Sequence, residues 1–347
     1  MRVGSVSPIV ISRSYNSLDG LWRHSFSSHL YFGTGAVVVV HADGRESVFS
    51  LIDDIYLSKT DSGVLVALKE GWSYRDPSNA TLIFSAQGRL LRVEASNGSN
   101  YDLTYSRDGG HSISISNSVG DVVMVQETLL HQLLEVSGGS GSVAYEYDSQ
   151  ILLKRTITKA SNVSSRKYHY EDSRNASWLT GITDERGIRF ATWAYDAKGR
   201  AISSQHSGGA GLTQITYNVD GSSTVTNELG KQALYRYQQI SGVKRITSIE
   251  GEPSPNCSAS NSSYTYNDRG QVLIKTDAKG LITTYTYNDR GLETSRIEAN
   301  GTSLARTITT EWDANRFLPL RVVEPTRTTV YSYDSQRREL SRQTTSH

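Results

Sequence analysis

Two aromatics one residue apart, an acidic or amide turn and then a glycine recur along this chain, and no other feature constrains its fold as strongly. The unit is plainest at Tyr264-Thr265-Tyr266-Asn267-Asp268-Arg269-Gly270 and at Tyr285-Thr286-Tyr287-Asn288-Asp289-Arg290-Gly291. Counted on the second aromatic, it returns at Tyr147, Tyr170, Tyr195, Tyr217, Tyr237, Tyr266, Tyr287, Trp312 and Tyr333, in steps of 23, 25, 22, 20, 29, 21, 25 and 21 residues. A period of that length marks a repeat architecture, in which a unit buries its apolar face only by stacking on its neighbours.

Each unit reads as a hairpin. In Gly280-Leu281-Ile282-Thr283-Thr284-Tyr285-Thr286-Tyr287, Ile282, Thr284 and Thr286 fall on one face, and Leu281, Thr283, Tyr285 and Tyr287 on the other. That is the period-two geometry of a strand. An Asp or Asn early in the following turn bonds to the next backbone amides, and glycine accepts the left-handed conformation at its end. A second turn recurs in each unit, at Asp184-Glu185-Arg186-Gly187, Asn227-Glu228-Leu229-Gly230 and Asp277-Ala278-Lys279-Gly280. Two turns per unit leave room for two strands of ordinary length. The expected fold is all-β: a string of tandem antiparallel hairpins with little helix.

The front of the chain is less regular. Val37–Val40 and Ser47–Leu51 flank the turn Ala42-Asp43-Gly44-Arg45, and Thr81–Leu90 resembles an imperfect unit. Phe84 lies 21 residues before Tyr105, so the period starts well before Tyr147 and then fades between Ile113 and Glu146. We therefore expect an opening region of imperfect repeats over residues 1–110 and a regular array over 111–347.

Composition narrows the function. Twenty tyrosines against 2 methionines suit half-buried pleated surfaces. A formal charge of +1 without a basic stripe argues against a nucleic-acid partner. The single cysteine, Cys257, excludes an intrachain disulfide framework and reads as a loop thiol. No apolar stretch is long enough to span a membrane as a helix, and Met1 to Ser14 show no standard signal peptide.

These motifs resemble the Rhs, or YD-repeat, family. Tyr195-Asp196-Ala197-Lys198-Gly199-Arg200 and Thr276-Asp277-Ala278-Lys279-Gly280 follow that family's unit, and Tyr147-Asp148 and Tyr333-Asp334 keep its opening pair. Arg13–Ser17 and Gly20–Phe26 are similar to the segment that introduces such repeats. The resemblance implies that the hairpins join edge to edge into one continuous, spiralling sheet, part of a hollow β-shell that encloses a toxic C-terminal domain and helps deliver it. Implied partners are that toxin domain or the remaining shell turns, with secretion machinery and an immunity protein. Its implied location is outside a bacterial cell or on its surface. An Asp-Pro-x-Gly-type plug sequence is not found before His347, so self-cleavage is not carried over, and the chain is expected to be the front part of a shell. The alternatives are an adhesin that binds glycan or protein through exposed aromatic rows, and a remnant of a truncated gene.

No catalytic residue, cofactor or metal site is expected. The turn residues Asp196, Asp268, Asp277, Asp289 and Asp334 sit on successive hairpin tips and do not converge, whereas calcium needs six to eight oxygens from a compact loop. The histidines show no zinc spacing, although His24 and His29 are close in sequence. The signature positions Tyr147, Asp148, Tyr195, Asp196, Gly199, Arg200, Tyr264, Tyr266, Asp268, Gly270, Asp277, Gly280, Tyr285, Tyr287, Asp289, Gly291, Tyr333 and Asp334 are assigned a structural role.

Overall fold

The computed structural model describes residues 2–3, 8–96, 98–107, 111–139, 141–159, 162–252, 260–334 and 339–347. Cys257, Asp108 and Gly109 lie outside them. Among the described residues the main body is a single antiparallel sheet of 30 strands, each paired with its neighbour in chain order. It runs from His29–Gly33 to Glu339–Ser346, and the only helical element among the described residues is one 3-10 turn at Ser207–Gly209. The run Ala36–Val40 forms a strand with Val37, Val39 and Val40 buried, and Glu46–Ile52 follows it antiparallel across the Asp43-Gly44 turn.

The front of the sheet closes on itself. His29 bridges to Arg89, and the Leu30 amide donates to the Gly88 carbonyl at 2.8 Å. Strands from His29–Gly33 to Leu90–Glu94 thereby form a roll whose first edge is capped by the Gln87-Gly88-Arg89 turn. The last strand, Glu339–Ser346, pairs with Arg327–Tyr333 over seven positions and with no other described strand. The sheet is therefore closed at its front and open at its far edge.

Cross-strand register makes one face continuous along the sheet. Leu30 opposes Val39, Tyr74 opposes Leu65, Ile113 opposes Val125, and Tyr168 opposes Ile182. Farther on, Trp193 opposes Ser204, Tyr235 opposes Ile249, Tyr285 opposes Arg296 and Tyr331 opposes Arg342. Residues 8–28 do not join this sheet. They form a strap, with its own short hairpin Arg13–Tyr15/Trp22–His24, laid across that face in the front half.

Burial divides the sheet accordingly. The apolar core extends from Ile9 to Leu179 and includes Trp22, Phe49, Tyr74, Phe84, Ile115, Val136 and Leu152. Beyond residue 200, Ala233, Leu292, Ile308 and Leu318 are the buried apolar residues among those described. The back half is thus a single-layer sheet with water on both sides, which tyrosine and threonine tolerate better than leucine and isoleucine.

Candidate functional site: a tyrosine-faced wall and its strap

The turns are built as asparagine or aspartate caps. Asp196 Oδ1 accepts from the amides of Lys198 and Arg200 at 2.9 and 3.0 Å, and Asp277 Oδ1 accepts from those of Lys279 and Leu281 at 2.8 and 2.9 Å. In the Asn-Asp-Arg-Gly turns the cap is the first residue: Asn267 serves Arg269 and Gln271, and Asn288 serves Arg290 and Leu292. Asp268 and Asp289 stand at the second position, on separate hairpins. Gly199, Gly270, Gly280 and Gly291 all have φ between 73° and 79°. At Gly199 an added Cβ would also lie 3.2 Å from the Trp178 ring. Asp148 differs: it pairs with Ile151 across a two-residue turn in which Ser149 takes φ 55°. Asp334 uses its carbonyl to accept from Arg316 at 3.0 Å, and the turn after it lies outside the described residues.

In most units the second aromatic sits at a β-bulge. Register shifts fall immediately before Phe84, Tyr147, Tyr195, Tyr237, Tyr266, Tyr287, Trp312 and Tyr333. A bulge re-aims the side chain beside it, and here it turns the ring toward the preceding hairpin. The hydroxyl donates to a backbone carbonyl there, at Tyr287 to Val272 at 2.8 Å; Tyr105 and Tyr217 make the same bond without a bulge, to Leu90 and Ala201, each at 2.9 Å. Tyr195, Tyr266 and Tyr333 bond likewise to Leu179, Ile246 and Pro319 at 2.7, 2.6 and 3.0 Å, and the Trp312 indole bonds to Glu293 at 2.8 Å. The acceptors Leu90, Ala201, Val272 and Glu293 each lie two residues past the glycine of the previous turn. Burial raises the Tyr287 phenol to about 12, so it remains a donor. Arginines after the turn reinforce the latch, with Arg200 stacked 4.0 Å over Tyr217 and Arg89 5.3 Å over Tyr105. Tyr266→Phe and Tyr287→Phe are each expected to lower stability by about 1 kcal/mol. Amide exchange should localise that loss to the latched pair of hairpins, and a loss spread evenly over the sheet would contradict the latch.

The latch series breaks where the strap docks. The Tyr170 hydroxyl accepts from the Trp22 indole at 3.1 Å, and the buried Tyr147 hydroxyl has no partner among the described residues. Trp22 packs edge-on to Tyr168 at 5.3 Å. The Arg13 guanidinium lies over Trp22, Tyr145 and Tyr168 at 4.6, 4.5 and 5.4 Å and donates to the Tyr168 hydroxyl. The Tyr15 hydroxyl donates to the Ser177 carbonyl at 2.6 Å, and Ser17 donates to the Gly199 carbonyl at 2.8 Å. Tyr195 marks the far limit of the covered rings; from Tyr217 onward the same face carries no strap.

Two buried carboxylates tie the front together. Asp61, 1% exposed, accepts from Arg45 at 2.8 Å, the Tyr74 hydroxyl at 2.9 Å, the Gly63 amide at 2.6 Å and the Ser47 hydroxyl. Burial alone would raise its pKa, but these bonds and His41 hold it well below the usual carboxylate range. His41, Ser47 and Asp61 do not make a catalytic relay, because the hydroxyl and the carboxylate both approach His41 Nε2, at 2.8 and 3.5 Å. A relay needs them on opposite ring nitrogens.

The second carboxylate, Glu127, accepts from His24 Nε2 at 3.0 Å and His131 Nδ1 at 2.8 Å. A bulge falls just before Glu127, which lies 22 residues after Tyr105 and 20 before Tyr147. It therefore stands where the repeat would place an aromatic, which is why the period fades between Ile113 and Glu146. Both clusters join residues far apart in sequence, and neither was visible in local spacing. No group of three His, Cys, Asp or Glu among the described residues is arranged to hold a metal ion. Likewise, no described helix is long and apolar enough to cross a membrane.

Residues 263–303 match the family model of the RHS repeat. A comparison with curated proteins finds no match. Among solved structures, the chain is similar to a TcdB2-TccC3-Cdc42 crystal structure at 12% identity and a TM-score of 0.47, covering 88% of this chain and 20% of that one. It is also similar to a Tc holotoxin pore of Photorhabdus luminescens at 11% identity and a TM-score of 0.47, covering 96% of this chain and 22% of that one. The chain spans about a fifth of the length of these structures.

Proposed function

We propose that this chain, which carries an RHS repeat over residues 263–303, is a non-enzymatic wall segment of a bacterial toxin shell, exported or displayed at the cell surface, that encloses a polypeptide cargo. In this reading residues 1–110 are the opening region and 111–347 the array. The cargo is a toxic C-terminal domain, and further shell turns complete the enclosure. The observation that carries the reading is the shared face of the sheet. From Tyr101 to Tyr195 that face is covered by an extended polypeptide, the strap, held by tyrosine hydroxyls, backbone carbonyls and stacked rings. From Tyr217 to Tyr333 the same face continues in register without a cover. A wall of this kind grips main chain and rings without reading a sequence, which suits a cargo held by many weak contacts.

The test is fluorescence anisotropy with a labelled, permanently unfolded polypeptide. Saturable binding is expected, and Tyr264→Ala and Tyr285→Ala should each weaken it by about two- to tenfold while leaving the far-ultraviolet spectrum unchanged. An absence of polypeptide binding, or binding to glycans instead, would overturn the proposal in favour of an adhesive surface.

A further inference from the structure

Where the strap enters the sheet, four ionisable side chains meet that the wall itself does not require. Glu127, in the aromatic place of its repeat, is 5% exposed, and His24 on the strap is fully buried against it. His131, from the turn after Glu127, bonds the other carboxylate oxygen. The His29 ring stacks on the His131 ring with centroids 4.3 Å apart and planes at 29°. His29 spends its Nδ1 proton on the Ser27 carbonyl at 2.9 Å, and His24 Nδ1 accepts from the Phe26 amide at 3.4 Å. Each imidazole thus makes its contacts with a single N–H. A groove of about 440 Å³, lined by His29, His131, Arg23, Glu46, Val38 and Leu130, opens beside the stacked pair and gives solvent a route to it.

We propose that His24, His29, Glu127 and His131 form an acid-sensitive clasp that releases the strap when both stacked imidazoles become charged. The charge balance around the pair sets the direction. Glu127 supplies one negative charge and offsets one imidazolium. Arg23 adds a positive charge on the same side but is already paired with Asp19 at 2.7 Å. Arg89, bridged through its backbone to His29, adds another. Glu46 is the remaining carboxylate lining the groove, and Tyr105, facing Glu127, stays a neutral phenol because burial pushes its pKa up. A second imidazolium therefore has no dedicated counter-charge, and it faces the first at stacking distance.

Burial and the neighbouring His131 both lower the His29 pKa. Burial alone would raise Glu127, but its two histidine hydrogen bonds outweigh that and bring it to about 2. Glu127 thus stays ionised through mild acid, and the change is read at His29. With the His29 pKa depressed in the folded clasp, the released clasp binds more protons below about pH 6.5. The hold on the strap is complete above that pH and weakens below it.

Amide exchange of residues 9–28, followed by mass spectrometry from pH 7.5 to 5.0 and corrected for the intrinsic rate, reads this directly. Protection of the strap relative to the roll is expected to fall below about pH 6.5, by up to about tenfold for each pH unit. His29→Phe keeps a stacked ring without a proton site, and His131→Gln keeps a donor for Glu127. Each should flatten the profile. If His29→Phe lacks the native far-ultraviolet spectrum at pH 7.5, His131→Gln alone decides. A flat profile in the unsubstituted protein, or an unchanged pH dependence in the folded variants, would overturn the clasp.

Discussion

Replacing Asp61 with alanine should cost the front roll about 3–5 kcal/mol, the scale for removing one partner of a buried ion pair. The substitution strands four donors at once: the Arg45 guanidinium, the Tyr74 hydroxyl, the Ser47 hydroxyl and the Gly63 amide. Those donors come from the strands Glu46–Ile52 and Gly71–Arg75, the turn before the first of them and the loop before Val64–Leu68, so their loss loosens the closed front as a unit. Asp61→Asn should also destabilise, because its amide presents N–H groups to a site that needs only acceptors. The acid dependence follows from the depressed carboxyl pKa. Its contribution is complete above about pH 4, the unfolded aspartate value, and declines as pH falls toward the lower folded value. Denaturant midpoints between pH 7 and pH 3 check this. The unsubstituted chain should lose stability on acidification below pH 4, and Asp61→Ala should lose less over that range.

Trp22→Ala should cost about 3–5 kcal/mol, as buried aromatic truncations do. Trp22 is 8% exposed, packs against Tyr15 and Tyr168, lies under Arg13 and satisfies Tyr170. Its removal opens a cavity and takes from the Arg13 guanidinium one of the three rings it stacks on. The damage should be local. In a nearest-neighbour array, stability is lost where the contact was made. Exchange protection should therefore collapse over residues 9–28 and 141–199 while strands beyond Gln232 keep theirs. A uniform loss along the chain would mean that the strap and the wall unfold as one cooperative body.

The two substitutions act on parts of the protein that differ in how plainly the sequence announced them. The array was legible because its unit is local: Asp196 caps a turn that closes within four residues, and Tyr285 and Tyr287 share a face by alternation alone. Local spacing did not reveal where each ring goes. The bulge before Tyr266 and the carbonyl of Ile246 that receives its hydroxyl belong to different hairpins. The Asn-Asp pair illustrates the limit at a turn: either residue fits a cap by type, and backbone geometry selects Asn267 and Asn288. Glu127 was hidden for a further reason. A carboxylate in an aromatic's place erases the period, and its histidine partners lie 103 and 4 residues away. The strap gave only a family-like opening at Arg13–Phe26, because its contacts with Tyr168, Ser177 and Gly199 span 155 to 182 residues.

Tyrosine footprinting in the presence and absence of an unfolded polypeptide tests the central claim most directly. The account predicts that Tyr74, Tyr105, Tyr145, Tyr168 and Tyr195 resist modification throughout, being covered by the roll or the strap. Tyr217, Tyr237, Tyr264, Tyr285 and Tyr331 should react in the free chain and become protected together when polypeptide is added. Protection confined to one or two of these rings, or to the opposite face of the sheet, would contradict a continuous cargo-facing wall.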